Sequence, residues 1–205
     1  MTSYQQTKLQ PNTSELVFRA TILSSHSSTK MAPLPVVLCG KNPNIAKIVA
    51  DGLLPEFEGM GSHLFLLDGV QNIVSLVIYA HSLTAIHVIT SAPAGAVDLP
   101  ILLAGNTPPD HSENVGSQNY ANPPVAIAAG GGYTDEEFYS MHTPSNAVKE
   151  ITWLKTDNSL LKAGVGPPKG DALVEYAKKK AVDVKKQLLE IGVGKEGVKG
   201  GIHLC

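Results

Sequence analysis

The chain has 205 residues, a formal charge of -2, seven histidines and two cysteines. That length suits one domain with appended tails and needs no covalent staples. The near-neutral charge argues against nucleic acid as a partner, because a phosphate-binding surface needs an excess of Lys and Arg, and two cysteines make no disulfide framework.

Met1 to Lys30 is rich in Ser, Thr and Gln and lacks the sustained apolar stretch of a secretory signal. Three readings stay open for it: a disordered tail, a weak mitochondrial presequence, or an upstream extension with the native start at Met31. Cytoplasm is the default address.

From Val36 to Cys39 a short apolar run bounded by Pro35 and Gly40 suits a buried parallel strand. Asn42 then serves as a helix N-cap, with Pro43 at the first helical position. Ile45, Ile48, Val49 and Leu53 recur at helical spacing, and Pro55 ends the helix near Leu54. Ile86 to Thr90 reads as a second strand, Ser91 to Gly95 as a turn, and Asp98 to Gly105 as a short helix capped by Asp98. Asn106 to Pro124 is a long polar loop, a length usually functional or disordered. Val125 to Ala129 is a third strand, Thr134 and Glu137 form a capping box at the next helix, and Glu150 to Leu154 is a fourth strand. Trp153 is expected in the core.

The last helix starts at Asp171. Its apolar stripe is Leu173, Tyr176, Ala177, Ala181, Val184, Leu188 and Ile191, and Gly192 closes it. Lys178, Lys179, Lys185 and Lys186 lie largely off that stripe and read as a solvated face. Residues 193–205 read as a flexible tail or a weak edge strand. The expected fold is therefore α/β, a small Rossmann-like or flavodoxin-like parallel sheet of about four strands with flanking helices, in one domain over 31–192.

In such a sheet ligands bind beyond the carboxyl ends of the strands. Gly40, Lys41 and Asn42 offer helix-start N–H groups and a cation, which suits an anion; the competing reading is a plain N-capped turn. One glycine matches neither dinucleotide fingerprint nor P-loop. Gly130 and Gly131, in a run of three glycines, look like a nucleotide loop, but Asp135, Glu136 and Glu137 just after them would repel a phosphate, and a tight turn or close backbone contact is the expected reason for the glycines. In the long loop Ser117, Asn119 and Tyr120 could direct hydrogen bonds to a small polar ligand, or the loop could satisfy its own backbone through Asx turns. Cys39 reads as a buried structural thiol and His87 as a packed or edge residue. The histidines show no metal-ligand pairing, no G-x-S-x-G elbow occurs, and no motif identifies a cofactor. A small molecule is the expected partner, with neither nucleic acid nor membrane; oligomeric state is not legible. Two alternatives stand beside a binding role: a NAD(P)- or other nucleotide-dependent enzyme, and an interaction module docking through the Lys-rich last helix.

Residues 37–46, the run from Gly52 to Glu58, Asn114 to Tyr120 with Pro123 and Pro124, and Gly131 to Tyr133 together resemble a family of small fungal proteins of largely unassigned activity. The resemblance covers Met31 to Glu58 and Ala85 to about Leu204. It implies a Rossmann-like fold and a fungal source, brings no catalytic residues, and suggests an accessory role in secondary metabolism. The family pattern lacks both the N-terminal extension and Gly59 to Thr84. The latter is too short and too polar for a membrane span, and an extra strand plus helix is the plain reading. Gly59 to Gly61 can instead be encoded by a 5′ splice-site sequence, and Ser82 to Ala85 by a branch point with acceptor. On that reading residues 59–84 are a retained intron. Sequencing the transcript checks this: a spliced message is expected, and one that uniformly keeps these codons overturns it.

Overall fold

The computed structural model describes residues 32–54, 82–109, 114–160 and 166–205. The N-terminal extension (1–30) and most of the 59–84 segment lie outside them. Five strands, β1 (Leu34–Cys39), β2 (Leu83–Ile89), β3 (Ala126–Ala129), β4 (Thr152–Lys155) and β5 (Gly201–Leu204), form one sheet in the order β2-β1-β3-β4-β5. Every pairing is parallel. The helices are α1 (Pro43–Leu53), α2 (Ala92–Leu103), α3 (Asp135–Val148) and α4 (Asp171–Ile191).

Helices cover both faces, so the central strands must be apolar on both sides. Val36, Leu38, Ala126, Ala128 and Leu154 join α1 and α4 in one core. Val37, Cys39, Ile127, Ala129 and Trp153 join α2 and α3 in the other. Trp153 is fully buried there, edge-on to Phe138.

The sheet has five strands rather than about four. Gly201–Leu204, within the segment expected to be a flexible tail or a weak edge strand, pairs with Thr152–Lys155. Its alternating burial (Ile202 and Leu204 exposed) and four-residue length leave little apolar signal in the sequence. Helix α2 also begins earlier than expected, at Ala92. Ser91 caps it by accepting from Ala94 N–H, so Asp98 is an interior residue and Ser91 to Gly95 is a helix start rather than a turn. Pro93 at the second helical position is compatible with a helix start. The other caps stand where expected: Asn42 for α1, the Thr134–Glu137 capping box for α3, and left-handed Gly192 (φ 84°) closing α4.

Leu83 and Thr84, the last residues of the 59–84 segment, belong to β2, which starts three residues before the expected Ile86. Leu83 is fully buried.

Each helix pair meets at a glycine. A Cβ on Gly52 of α1 would lie 2.6 Å from Ala181 Cβ of α4, and one on Gly95 of α2 would collide with the thioether of Met141 of α3. Met141 is itself fully buried, and the Cβ at Gly95 would also crowd its Cγ (2.9 Å) and Ile89 Cγ2 (3.2 Å), so neither site yields freely. Alanine also gains about 1 kcal/mol of helix propensity over glycine. Gly52→Ala and Gly95→Ala are therefore each expected to lose on the order of 1–2 kcal/mol net through overpacking. Urea denaturation of both variants checks this; unchanged or raised stability in either overturns it.

Candidate functional site

The strand order reverses between β1 and β3: the chain leaves β1 for β2 on one side and returns to β3 on the other. The turns that follow those two strands therefore diverge and leave a crevice. A cleft of about 930 Å³ opens there. Its floor is the ends of β1, β3 and β4 with the Gly130 to Gly132 turn; one wall is the start of α1 and the other is Tyr176, Lys180 and Val184 of α4. Gly166 to Pro168 lies on its rim. A smaller cavity of about 370 Å³ lies at the opposite end of the sheet, among residues next to the start of β4 and after α4. Position favours the larger one, because the carboxyl ends of a parallel sheet are where ligands bind.

Five of the residues singled out in the sequence, Gly40, Lys41, Asn42, Gly130 and Gly131, come together in this cleft. Their groups are less available than the sequence suggests. Asn42 Oδ1 accepts from the N–H groups of Asn44 (3.0 Å) and Ile45 (3.2 Å), taking up two of the helix-start donors. Lys41 Nζ donates to both carboxylate oxygens of Glu137 at 2.6 and 2.7 Å, and sits 5.4 Å from the centre of the Tyr133 ring. The lysine thus straps the β1–α1 turn to the start of α3, across Gly132. Glu137 also closes the capping box, accepting from Thr134 N–H at 2.8 Å. The Lys41 hydrogen bond, followed by that with Thr134, holds the Glu137 carboxyl below the ordinary glutamate range.

Neither strain nor crowding requires Gly130 and Gly132. Neither has a positive φ. A Cβ at Gly130 would meet only the Cys39 carbonyl oxygen at 3.5 Å, and one at Gly132 only the Lys41 side chain at 3.5 Å, both ordinary contacts. Bare backbone here keeps the cleft floor open. Cys39 also lines the cleft, but burial pushes its thiol up to about 12, so it stays protonated and unreactive.

Ser117, Asn119 and Tyr120 do not line the cleft. They belong to a loop laid along the outer edge of β2. Ser117 and Gln118 donate their N–H groups to the Ala85 and Ile86 carbonyls at 2.8 and 3.0 Å. Asn114 completes the edge with its side chain, accepting from Val88 N–H (3.0 Å) and donating to Val88 C=O (2.8 Å). Gly116 is required there: a Cβ would stand 2.7 Å from the Ile86 and His87 backbone. Asn119 Oδ1 accepts from Ala121 N–H, an Asx turn. The loop's polar groups therefore serve its own backbone and the sheet edge.

Beneath the loop, the β1–β2 register slips between Val36 and Val37, leaving Ile86 as a bulge. Such a bulge re-aims the next side chain, and His87 is buried with Nε2 3.8 Å from Asp98 Oδ2 of α2. Because Asn114 Oδ1 already takes two backbone N–H groups, its Nδ2 faces His87 Nε2 at 3.2 Å. On the other side of the ring His87 Nδ1 lies 2.9 Å from Tyr120 Oη, within hydrogen-bond distance. Burial, with the Asp98 carboxylate nearby, pushes the Tyr120 phenol up. This cluster fastens the loop.

The cleft also contains what the sequence reading passed over. Tyr176 and Lys180 line it from α4. Their i, i+4 spacing was visible, but Tyr176 read as core stripe, and nothing in the spacing told which face of α4 borders a cleft.

Together these features define a doubly covered, all-parallel α/β protein with a ligand-sized cleft at its strand-order reversal. The chain is 28% identical over 161 residues to "Kojic acid related protein 6" of Aspergillus oryzae, a match covering 76% of this chain and 80% of that protein. No family model matches the chain, and no solved structure does. The similarity is to a fungal protein, as the sequence resemblance implies. Among the described residues no helix is long and apolar enough to cross a membrane.

The strap has a pH signature. A carboxyl whose folded value is depressed adds stability above its unfolded value and loses it as pH falls through the folded one. Stability is therefore expected to drop below about pH 4.5, partly through release of Lys41. Glu137→Gln should flatten that acid limb in denaturation curves between pH 3 and 6; an unchanged slope overturns the assignment.

Proposed function

We propose that this flavodoxin-like chain is an accessory small-molecule-binding protein of fungal secondary metabolism, with the cleft at the β1/β3 reversal as its ligand site. The observation that carries the reading is the bare glycine floor, kept open where neither backbone conformation nor packing demands glycine. Apolar walls with a few polar groups are what small-molecule sites present. The name of the Aspergillus relative supports a place in secondary metabolism.

A nucleotide at Gly40 to Asn42 is less well supported. Its phosphate would compete with the Asn42 side chain for the Asn44 and Ile45 N–H groups and with Glu137 for Lys41. Docking through the last helix is weakened by charge pairing. Lys178, Lys179 and Lys186 face Glu175, Asp183 and Glu190 at 3.0, 2.9 and 3.8 Å, so that face carries little net charge to recruit a partner.

A thermal-shift panel of apolar-bodied small molecules, NAD(H), NADP(H), ATP and coenzyme A tests the proposal. A ligand at a hundred times its Kd stabilises by about 2.7 kcal/mol, several degrees for a domain of this size. Organic ligands are expected to shift the wild type, the nucleotides are not, and Gly130→Leu should fold normally while losing the shift. A panel with no shift, or a shift that survives Gly130→Leu, overturns the site.

A further inference from the structure

From the cleft's electrostatics and donor set we infer its ligand class: an organic acid with an apolar body, bound as the anion, its carboxylate on Lys180 and Tyr176. The inference rests on the cleft being a ligand site and adds what that site selects. Among the described residues no Asp or Glu lines it, while two lysines do. Lys41 is neutralised by Glu137, which leaves Lys180. Helix α4 carries five lysines, and four have a protein acceptor. Lys178, Lys179 and Lys186 have carboxylates, and Lys185 donates to the Leu54 carbonyl at 3.2 Å. Lys180 is the one with none among the described residues, and it is the one of the five that lines the cleft. An ammonium bordering apolar walls gains more from an anion than one in open water, because screening is weaker there.

Tyr176 stands one helical turn before Lys180 and also lines the cleft, so a phenol and an ammonium leave neighbouring positions on one face of α4. Two adjacent donors match the two oxygens of a carboxylate. A phosphate calls for more: backbone N–H groups at a helix start, or the fork of an arginine. The α1 start has Asn42 on two of its N–H groups, and no arginine is among the described residues that line the cleft. Ile45 and Val49 of α1 and Val184 of α4 line the remaining walls, apolar surface for the body of the ligand.

Calorimetric titration of the full chain with benzoate and octanoate, each beside its neutral amide and beside inorganic phosphate, tests the class. The carboxylates are expected to bind about tenfold to a hundredfold more tightly than the amides, the range of one charge-assisted hydrogen bond. Lys180→Met should remove that margin, Lys180→Arg should restore part of it, and Tyr176→Phe should reduce it. Amides binding as well as carboxylates, or phosphate binding better, would overturn the inference and leave the cleft reading intact. If neither acids nor amides bind, the cleft reading falls and this inference with it.

Discussion

The parallel pairing of β1 with strands on both sides is the constraint on which the molecule depends. With β2 on one edge and β3 on the other, β1 has no free backbone, and helices on both faces require Val36 and Leu38 to face one core while Val37 and Cys39 face the other. The chain must leave the end of β1 in one direction and the end of β3 in another, so an opening between the two turns comes with the connectivity. What the side chains decide is whether that opening is filled. Here glycine follows both strands, and the lysine beside it is drawn across to α3 rather than into the space.

Much of the architecture was legible from local chemistry. Asn42 with Pro43, Thr134 with Glu137, and Gly192 each act through bonds within a few residues, and each stands where the sequence placed it. The signals that misled were those whose meaning is tertiary. Pro93 and Gly95 look like a turn, yet Ser91 caps a helix there and Gly95 is the point where α3 presses close. β5 is half exposed and four residues long, so it becomes a strand only by pairing with β4.

The candidate site divided in the same way. The residues after β1 and β3 could be placed in one crevice from topology alone, and they lie there. Ser117, Asn119 and Tyr120 were attractive because polar loops often bind ligands, but a sheet edge also needs polar cover. The Asn114 side chain, which copies a strand's donor and acceptor, shows which need prevailed. Tyr176 and Lys180 escaped notice for the opposite reason. On a helix with so regular an apolar stripe and so many lysines, two cleft-lining positions look like more of the same.

The register of β1 against β3 also bears on how the chain folds. Val36 pairs with Ala126, so this contact closes the longest loop of any neighbouring strands in the sheet, and α1, β2, α2 and the edge loop all lie within it. Contacts of such sequence separation pay their closure entropy before they return anything, which slows folding. The two halves of the sheet can each build local structure, but neither contains the crevice. Binding of any ligand in the crevice would therefore report complete folding, since a chain that has formed both halves without joining them has not yet built it.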